Sequence, residues 1–107
     1  RVVTANQLSG LRDGRHVRVA GLVLMRQRPS TAKGIWFVTL EDETGVINLV
    51  IFPAVWQRFF KIAKTSNAWL VDGKLENQKG VINVIIGRIT DLSQEVEGLT
   101  MRSRDFR

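Results

Sequence analysis

Basic side chains gather around one short loop of the chain. Arg26 and Arg28 close a long apolar segment, and Lys33 precedes the next one. Such a cluster can follow a phosphate backbone, and Gly34 beside it would let the main chain approach a ligand closely. Lys79, in a later turn, is expected at the same mouth. The pattern predicts a phosphate-binding loop, and the alternative is a set of ordinary solvated charges.

An aromatic ring and an amide occur on two neighbouring apolar segments. Phe37 can stack on an unpaired base, a contact worth about 1–3 kcal/mol per base. Asn48 has a donor and an acceptor with which to read a base edge. Thr39 and Val50 are expected on the same surface, and Arg88 is a further candidate cation. The alternative for the ring of Phe37 is packing under a loop or under the C-terminal tail.

Catalytic and metal-binding patterns are scarce in the sequence. There is no cysteine, and His16 is the only histidine, so a metal site or histidine-based catalysis has little to build on. The acidic run Glu41, Asp42 and Glu43 could hold Mg²⁺, but its place before Thr-Gly is typical of a turn. No phosphate-binding glycine loop or hydrolase motif occurs. We therefore expect no cofactor and no catalytic residue.

Length and charge limit the possible classes of protein. The 107 residues fit one domain, and the net charge of +6 favours a polyanionic partner. No apolar run could span a bilayer and no signal peptide opens the chain, so we expect a cytoplasmic protein without membrane contact. The chain begins with Arg1 and not with Met, which suggests a piece of a longer protein. We expect this piece to be monomeric.

Five segments have the composition of β-strands, and one has helical periodicity. The strands are predicted at 16–28, 35–41, 46–52, 67–76 and 81–90. After Pro53, the apolar residues Val55, Phe59 and Ile62 recur at helical spacing over about three turns. The fold class is therefore all-β: a five-stranded OB-fold barrel with one short helix between strands 3 and 4.

The predicted barrel divides the chain into three parts. A lead-in covers 1–14, in which Leu8 and Leu11 can pack on the barrel as a short helical turn. The nucleic-acid-binding domain covers 15–92, and a polar tail covers 93–107. Gly21, inside the first strand, is expected at a bend that lets this strand serve both halves of the closed sheet.

Side-chain alternation assigns the faces of the strands. In the second strand Trp36, Val38 and Leu40 are expected to face the core, which leaves Phe37 outside. In the third strand the inward residues are Ile47, Leu49 and Ile51. Trp56 on the helix and Trp69 in the fourth strand are expected to belong to the core and not to a ligand platform.

Three sequence runs resemble a known family. They are G-L-V-L-M-R-Q-R-P-S-T-A-K-G (21–34), F-V-T-L-E-D-E-T-G (37–45) and N-L-V-I-F-P (48–53). Together with the end S-R-D-F-R (103–107), they resemble the C-terminal OB-fold domains of bacterial error-prone DNA polymerases, a branch of the polymerase III α-subunit family. The pattern F-x-x-L-x-D-x-x-G is also similar to anticodon-binding domains of class II aminoacyl-tRNA synthetases. Asn48 stands where those domains often carry Gln.

The resemblance implies a role in a larger enzyme. The parent would extend primers across damaged template in damage-induced mutagenesis, with its catalytic carboxylates outside this chain. The OB domain would hold single-stranded DNA near the active site. A sliding clamp or a mutagenesis accessory protein could contact the tail at 97–107.

Three functions remain open from the sequence. The domain can bind single-stranded DNA, it can bind RNA as anticodon-type domains do, or it can dock a protein partner on the same face. Only RNA carries a 2′-OH, and recognition of this group separates the first two functions. Phosphate binding should weaken steeply with salt, whereas an apolar protein interface should respond little.

Overall fold

The computed structural model describes residues 1–95, and five strands in this part of the chain form a closed barrel. The strands are β1 (His16–Gln27), β2 (Trp36–Asp42), β3 (Gly45–Ile51), β4 (Ala68–Gln78) and β5 (Val81–Asp91). Their order around the barrel is β1-β2-β3-β5-β4, with β3 and β5 parallel and the other pairs antiparallel. The predicted five-stranded OB-fold barrel is confirmed. The tail at 97–107, predicted as a partner contact, lies outside the described residues.

The first strand passes from one half of the barrel to the other at Gly21. Its first part pairs with β4 and its second part with β2, and Leu22 pairs with both. A Cβ atom built on Gly21 would lie 2.6 Å from the carbonyl oxygen of Glu41. Only glycine therefore fits where the strands cross this closely, and the predicted bend is confirmed.

Two short helices, and not one, connect β3 to β4. They are α1 (Pro53–Arg58) and α2 (Phe60–Thr65), so the predicted helix of about three turns is present as two short helices. Phe59 interrupts them with φ −109° and ψ 27°, outside the helical region. Its side chain packs against the core, as the sequence pattern predicted. The interruption is local, because the amide of Phe59 still donates to the carbonyl of Val55.

The lead-in closes one side of the barrel. A 3₁₀ helix at Ala5–Gly10 buries Leu8, and Leu11 packs against the core at its end, which confirms the predicted helical turn. Trp69 is fully buried, and Trp56 nearly so, as predicted. No helix within residues 1–95 is long and apolar enough to cross a membrane.

Candidate nucleic-acid interface

The outer surface of β2 and β3 carries the residues predicted for base contact. Phe37 pairs with Val50 and Thr39 pairs with Asn48, so these four side chains lie in two adjacent rows across the strands. The side chain of Phe37 is 39% exposed, whereas its neighbours Val38 and Leu40 are buried. The predicted orientation of β2 is therefore confirmed. We call these four residues, together with Met25 and Gln27 of β1, the β2–β3 face.

A β-bulge in β1 brings two residues to this face that the sequence did not indicate. The register shifts between Val23 and Met25, which leaves Leu24 as the extra residue. As a result Met25 pairs with Thr39, and Gln27 pairs with Phe37. Both side chains are exposed. The β2–β3 face thus contains a flexible thioether and a second amide beside its aromatic ring.

The same bulge turns Arg26 away from the face. Arg26 pairs with the buried Val38, and its guanidinium points toward the end of α2. Its Nε donates to the carbonyl of Ala63 at 2.8 Å, and a terminal nitrogen donates to the carbonyl of Ser66. Desolvation by burial lowers the pKa of Arg26. Its donors serve main-chain carbonyls at the end of α2 and the side chain of Asn67, so a place for Arg26 on a phosphate path stays a prediction.

Arg28 follows β1 and Trp36 begins β2, each next in the chain to a residue of the β2–β3 face, Gln27 or Phe37. The guanidinium carbon of Arg28 lies 5.5 Å from the centre of the Trp36 ring, a cation–π distance. Trp36, predicted to face the core, packs against it and stacks on Trp56 at the barrel's end, where it is half-buried. Arg28 is exposed, so its outer surface is available to a phosphate.

Two lysines are held in left-handed turns, each followed by glycine. Lys33 and Lys79 both have φ 53°, with Gly34 at φ 85° and Gly80 at φ 86°. Consecutive positive φ values are typical of type I′ turns, where Asn or Gly is preferred to Lys. A long side chain in this conformation costs about 1–2 kcal/mol. Backbone strain of this kind is often found at functional positions.

These two lysines lie at opposite ends of the β2–β3 face and not at a shared mouth. The loop with Lys33 leads into Trp36, which pairs with the last residue of β3. The turn with Lys79 leads into β5, whose parallel pairing with β3 places Val81 near Val46 at the start of β3. The predicted position of Lys79 is therefore wrong. A cation therefore stands at each end of the paired strands β2 and β3, which have seven residues each and are about 20 Å long at about 3.3 Å per residue.

Arg88 belongs to another part of the barrel surface. It pairs with Asp72 of β4, and Asp72 in turn accepts a hydrogen bond from the Nε of Arg18 at 2.7 Å. Arg18, Asp72 and Arg88 lie on the neighbouring strands β1, β4 and β5, away from the pairing of β2 with β3. The structure does not bring Arg88 together with Phe37.

The acidic run at the β2–β3 turn has a structural role. The carboxylate of Asp42 accepts hydrogen bonds from the amides of Ala5, Thr44 and Gly45 and from the Thr44 hydroxyl. Burial raises the pKa of Asp42, but these hydrogen bonds outweigh it and the net pKa falls below its ordinary value. Residues 1–95 contain no group of three His, Cys, Asp or Glu side chains that could hold a metal ion.

Comparison with known proteins adds family evidence to this geometry. Residues 17–92 match the tRNA anti-codon family model, described as an OB-fold nucleic acid binding domain. Proteins named error-prone DNA polymerase match along the chain. The one from Rhodopirellula baltica is 68% identical over 100% of this chain, and the one from Teredinibacter turnerae is 49% identical over 94%. The chain spans only 9% and 10% of those two relatives.

A solved structure supports the fold independently. The crystal structure of asparaginyl-tRNA synthetase from Pyrococcus horikoshii, complexed with asparaginyl-adenylate, superposes with a TM-score of 0.74 at 22% identity. The match covers 87% of this chain and 22% of the synthetase.

Proposed function

The chain belongs to the family of OB-fold nucleic acid binding domains, and on that premise we propose that it binds single-stranded nucleic acid on the β2–β3 face. The observation that carries the proposal is the exposed ring of Phe37 on the outer surface of β2. OB-folds bind oligonucleotides on this surface, and stacking on an aromatic ring requires an unpaired base.

The face has the parts that an unpaired strand needs. Phe37 supplies a stacking surface, and Thr39, Asn48 and Gln27 supply donors and acceptors for base edges. A strand lying along the face would reach a lysine at each end, Lys33 or Lys79, because the two turns bracket β2 and β3. Arg28 adds a third cation beside the first turn.

We place this domain in an error-prone DNA polymerase, with single-stranded DNA as its ligand. Relatives with that name match this chain along its whole length. The domain would hold template DNA near the active site, while the polymerase chemistry takes place in parts of the enzyme outside this chain. We assign no catalytic residue to the domain. A sliding clamp or a mutagenesis accessory protein is a further candidate partner of the whole polymerase, acting in translesion synthesis.

RNA is the second candidate ligand. The matching family model bears the name of the tRNA anticodon, and the asparaginyl-tRNA synthetase has the same fold. The base contacts that the face offers would serve either nucleic acid, so the sugar decides between them. Single-stranded DNA is the leading proposal because the relatives with high identity are DNA polymerases.

Fluorescence anisotropy with matched 12-mers of DNA and RNA tests the proposal on the 107-residue chain. We expect binding that is tighter for DNA and falls with salt, with a log–log slope of about 0.7 per phosphate contact. Phe37→Ala should weaken binding, whereas Phe60→Ala, which removes a similarly exposed ring on α2, should not. Tighter binding of RNA would favour the anticodon-type function. If neither oligonucleotide binds, the proposal is wrong.

Asn substitutions at the two lysines test the path of the strand. Asn tolerates the left-handed conformation, so Lys33→Asn and Lys79→Asn remove charge while keeping the turn. Each should lower the salt slope by about 0.7. An unchanged slope in both variants would show that the phosphates do not pass these turns.

A further inference from the structure

We infer that Phe52 and Phe37 form a two-ring platform on which two neighbouring bases of an unstacked strand rest. The inference builds on the proposed function, because it needs a nucleic-acid strand on the β2–β3 face. It adds a residue to that face and a preference for the kind of sequence bound.

The side chain of Phe52 emerges on the same side of the sheet as Phe37. Ile51, just before it, is fully buried, and the backbone of Phe52 is still extended at φ −69° and ψ 156°. Alternation therefore sends Phe52 outward, in line with Val50 and Asn48. Its side chain is 45% exposed. Within residues 1–95, no cation or second ring stacks on Phe37 or Phe52.

The register gives the approximate separation of the two residues on the sheet. Phe37 pairs with Val50, and Phe52 lies two residues beyond Val50 on the neighbouring strand. Such diagonal positions are about 7–8 Å apart, within reach of one another for aromatic side chains. Both rings can therefore contact one short stretch of strand.

The platform leads to the loop that carries Lys33. A Cβ atom built on Gly34 would lie 3.2 Å from Cγ of Pro53, so this loop abuts the residue that follows Phe52. Phe52 thus lies between Phe37 and the cation at that end of the face. A nucleic-acid strand that runs from Phe37 toward this end reaches the ring of Phe52 before it reaches Lys33.

The separation predicts which sequences bind. Stacked neighbouring nucleotides rise about 3.4 Å along a strand. Two stacking residues at positions about 7–8 Å apart on the sheet suit a nucleic-acid strand stretched to about twice that rise, which breaks the stacking between the two bases. Sequence preferences of this kind of site come from stacking strength and backbone flexibility. We therefore expect tighter binding of dT tracts, which stack weakly, than of dA tracts.

Phe60 provides a matched control for Phe52. It is 44% exposed, but it begins α2 and the amino group of Lys64 lies 5.4 Å from its ring centre. Removing either ring takes away a similar exposed apolar surface. Only the removal of the Phe52 ring should weaken binding of the oligonucleotide.

The test measures binding of the 107-residue chain to dT and dA 12-mers for the wild type, Phe37→Ala, Phe52→Ala, the double variant and Phe60→Ala. We expect Phe52→Ala to weaken dT binding at least about fivefold, to narrow the dT-over-dA preference, and to leave circular dichroism unchanged. If Phe52→Ala does not fold, Phe52→Leu takes its place, because leucine keeps apolar packing at the start of α1. This variant should weaken dT binding to a similar extent.

The possible outcomes separate the platform from the proposed function. If Phe37→Ala weakens binding and both Phe52 variants bind like the wild type, the platform is wrong and the proposed function stands. Equal affinity for dT and dA would also overturn the platform. A wild-type chain that binds neither 12-mer would overturn both.

Discussion

The ring of Trp36 stacks on the ring of Trp56, with ring centres 4.0 Å apart and planes 10° apart. This contact joins the first residue of β2 to α1, which follows β3. It holds Trp36 against the end of the barrel, and side-chain alternation then places Phe37 on the outer surface. An aromatic pair that does not itself face the ligand thus helps to fix the orientation of Phe37.

Replacing Trp56 should strongly destabilise the domain, whereas replacing Phe37 should not. Trp56→Ala removes the stack and leaves a cavity in the core, a loss of about 3–5 kcal/mol in the free energy of unfolding. Phe37→Ala removes a partly exposed ring and should cost about 1 kcal/mol or less. Urea unfolding followed by circular dichroism measures both. Equal losses would mean that Phe37 belongs to the core.

The faces of β2 and β3 could be predicted from the sequence because their two sides differ in composition. In β2 the residues Val38 and Leu40 alternate with Thr39 and Glu41, so only one arrangement buries the apolar set. The register then follows from the short turn. These strands form the centre of the candidate interface, and most of that centre was therefore predictable.

The face of β1 could not be predicted in the same way. Its sequence from Ala20 to Met25 is apolar or glycine at every position, so alternation does not distinguish inside from outside. The bulge at Leu24 then decides that Met25 and Gln27 face outward and that Arg26 faces α2. A bulge depends on tertiary pairing, which local composition does not encode. The opposite placement of Lys33 and Lys79 depends likewise on the β3–β5 pairing.

Gly21→Ala should destabilise the barrel through a backbone clash. The new Cβ would lie 2.6 Å from the carbonyl oxygen of Glu41, closer than real Cβ contacts allow, and backbone atoms cannot move aside cheaply. We expect a loss of about 1–3 kcal/mol in the free energy of unfolding. Gly10→Ala is the control, because its Cβ would meet no atom within 4 Å. Similar stability of the two variants would contradict the close crossing at Gly21.

The stability of the domain should fall in acid because of Asp42. Burial raises its pKa, yet the hydrogen bonds from Ala5, Thr44 and Gly45 prevail and lower the pKa below its ordinary value. A carboxyl group with a lowered folded-state pKa contributes stability that is complete above its unfolded pKa of about 3.9 and is lost as pH falls through the folded value. The pKa of Asp91 is lowered too, chiefly by the hydrogen bond from the hydroxyl of Ser66. Its shift changes stability with pH in the same direction.

Urea unfolding of the wild type and Asp42→Ala between pH 7 and pH 3 measures this contribution. The wild type should lose stability below about pH 4, and the variant should start lower at pH 7 and lose less on acidification. Asp13→Ala is the comparison, because Asp13 accepts one hydrogen bond, from the amide of Asn77. Parallel pH profiles for the wild type and Asp42→Ala would show that the Asp42 carboxylate does not fasten the lead-in to the turn.

Arg26 should matter for stability and not for phosphate binding. Its guanidinium donates to the carbonyls of Ala63 and Ser66 and lies over the ring of Trp69, so it fastens β1 to the end of α2. Arg26→Met keeps much of the apolar stem and removes the donors, which should cost about 1.5–3 kcal/mol, the worth of hydrogen bonds to a charged group. The salt slope of oligonucleotide binding should stay at the wild-type value, while Lys33→Asn lowers it by about 0.7. A reduced slope in Arg26→Met with unchanged unfolding would instead assign Arg26 to the phosphate path.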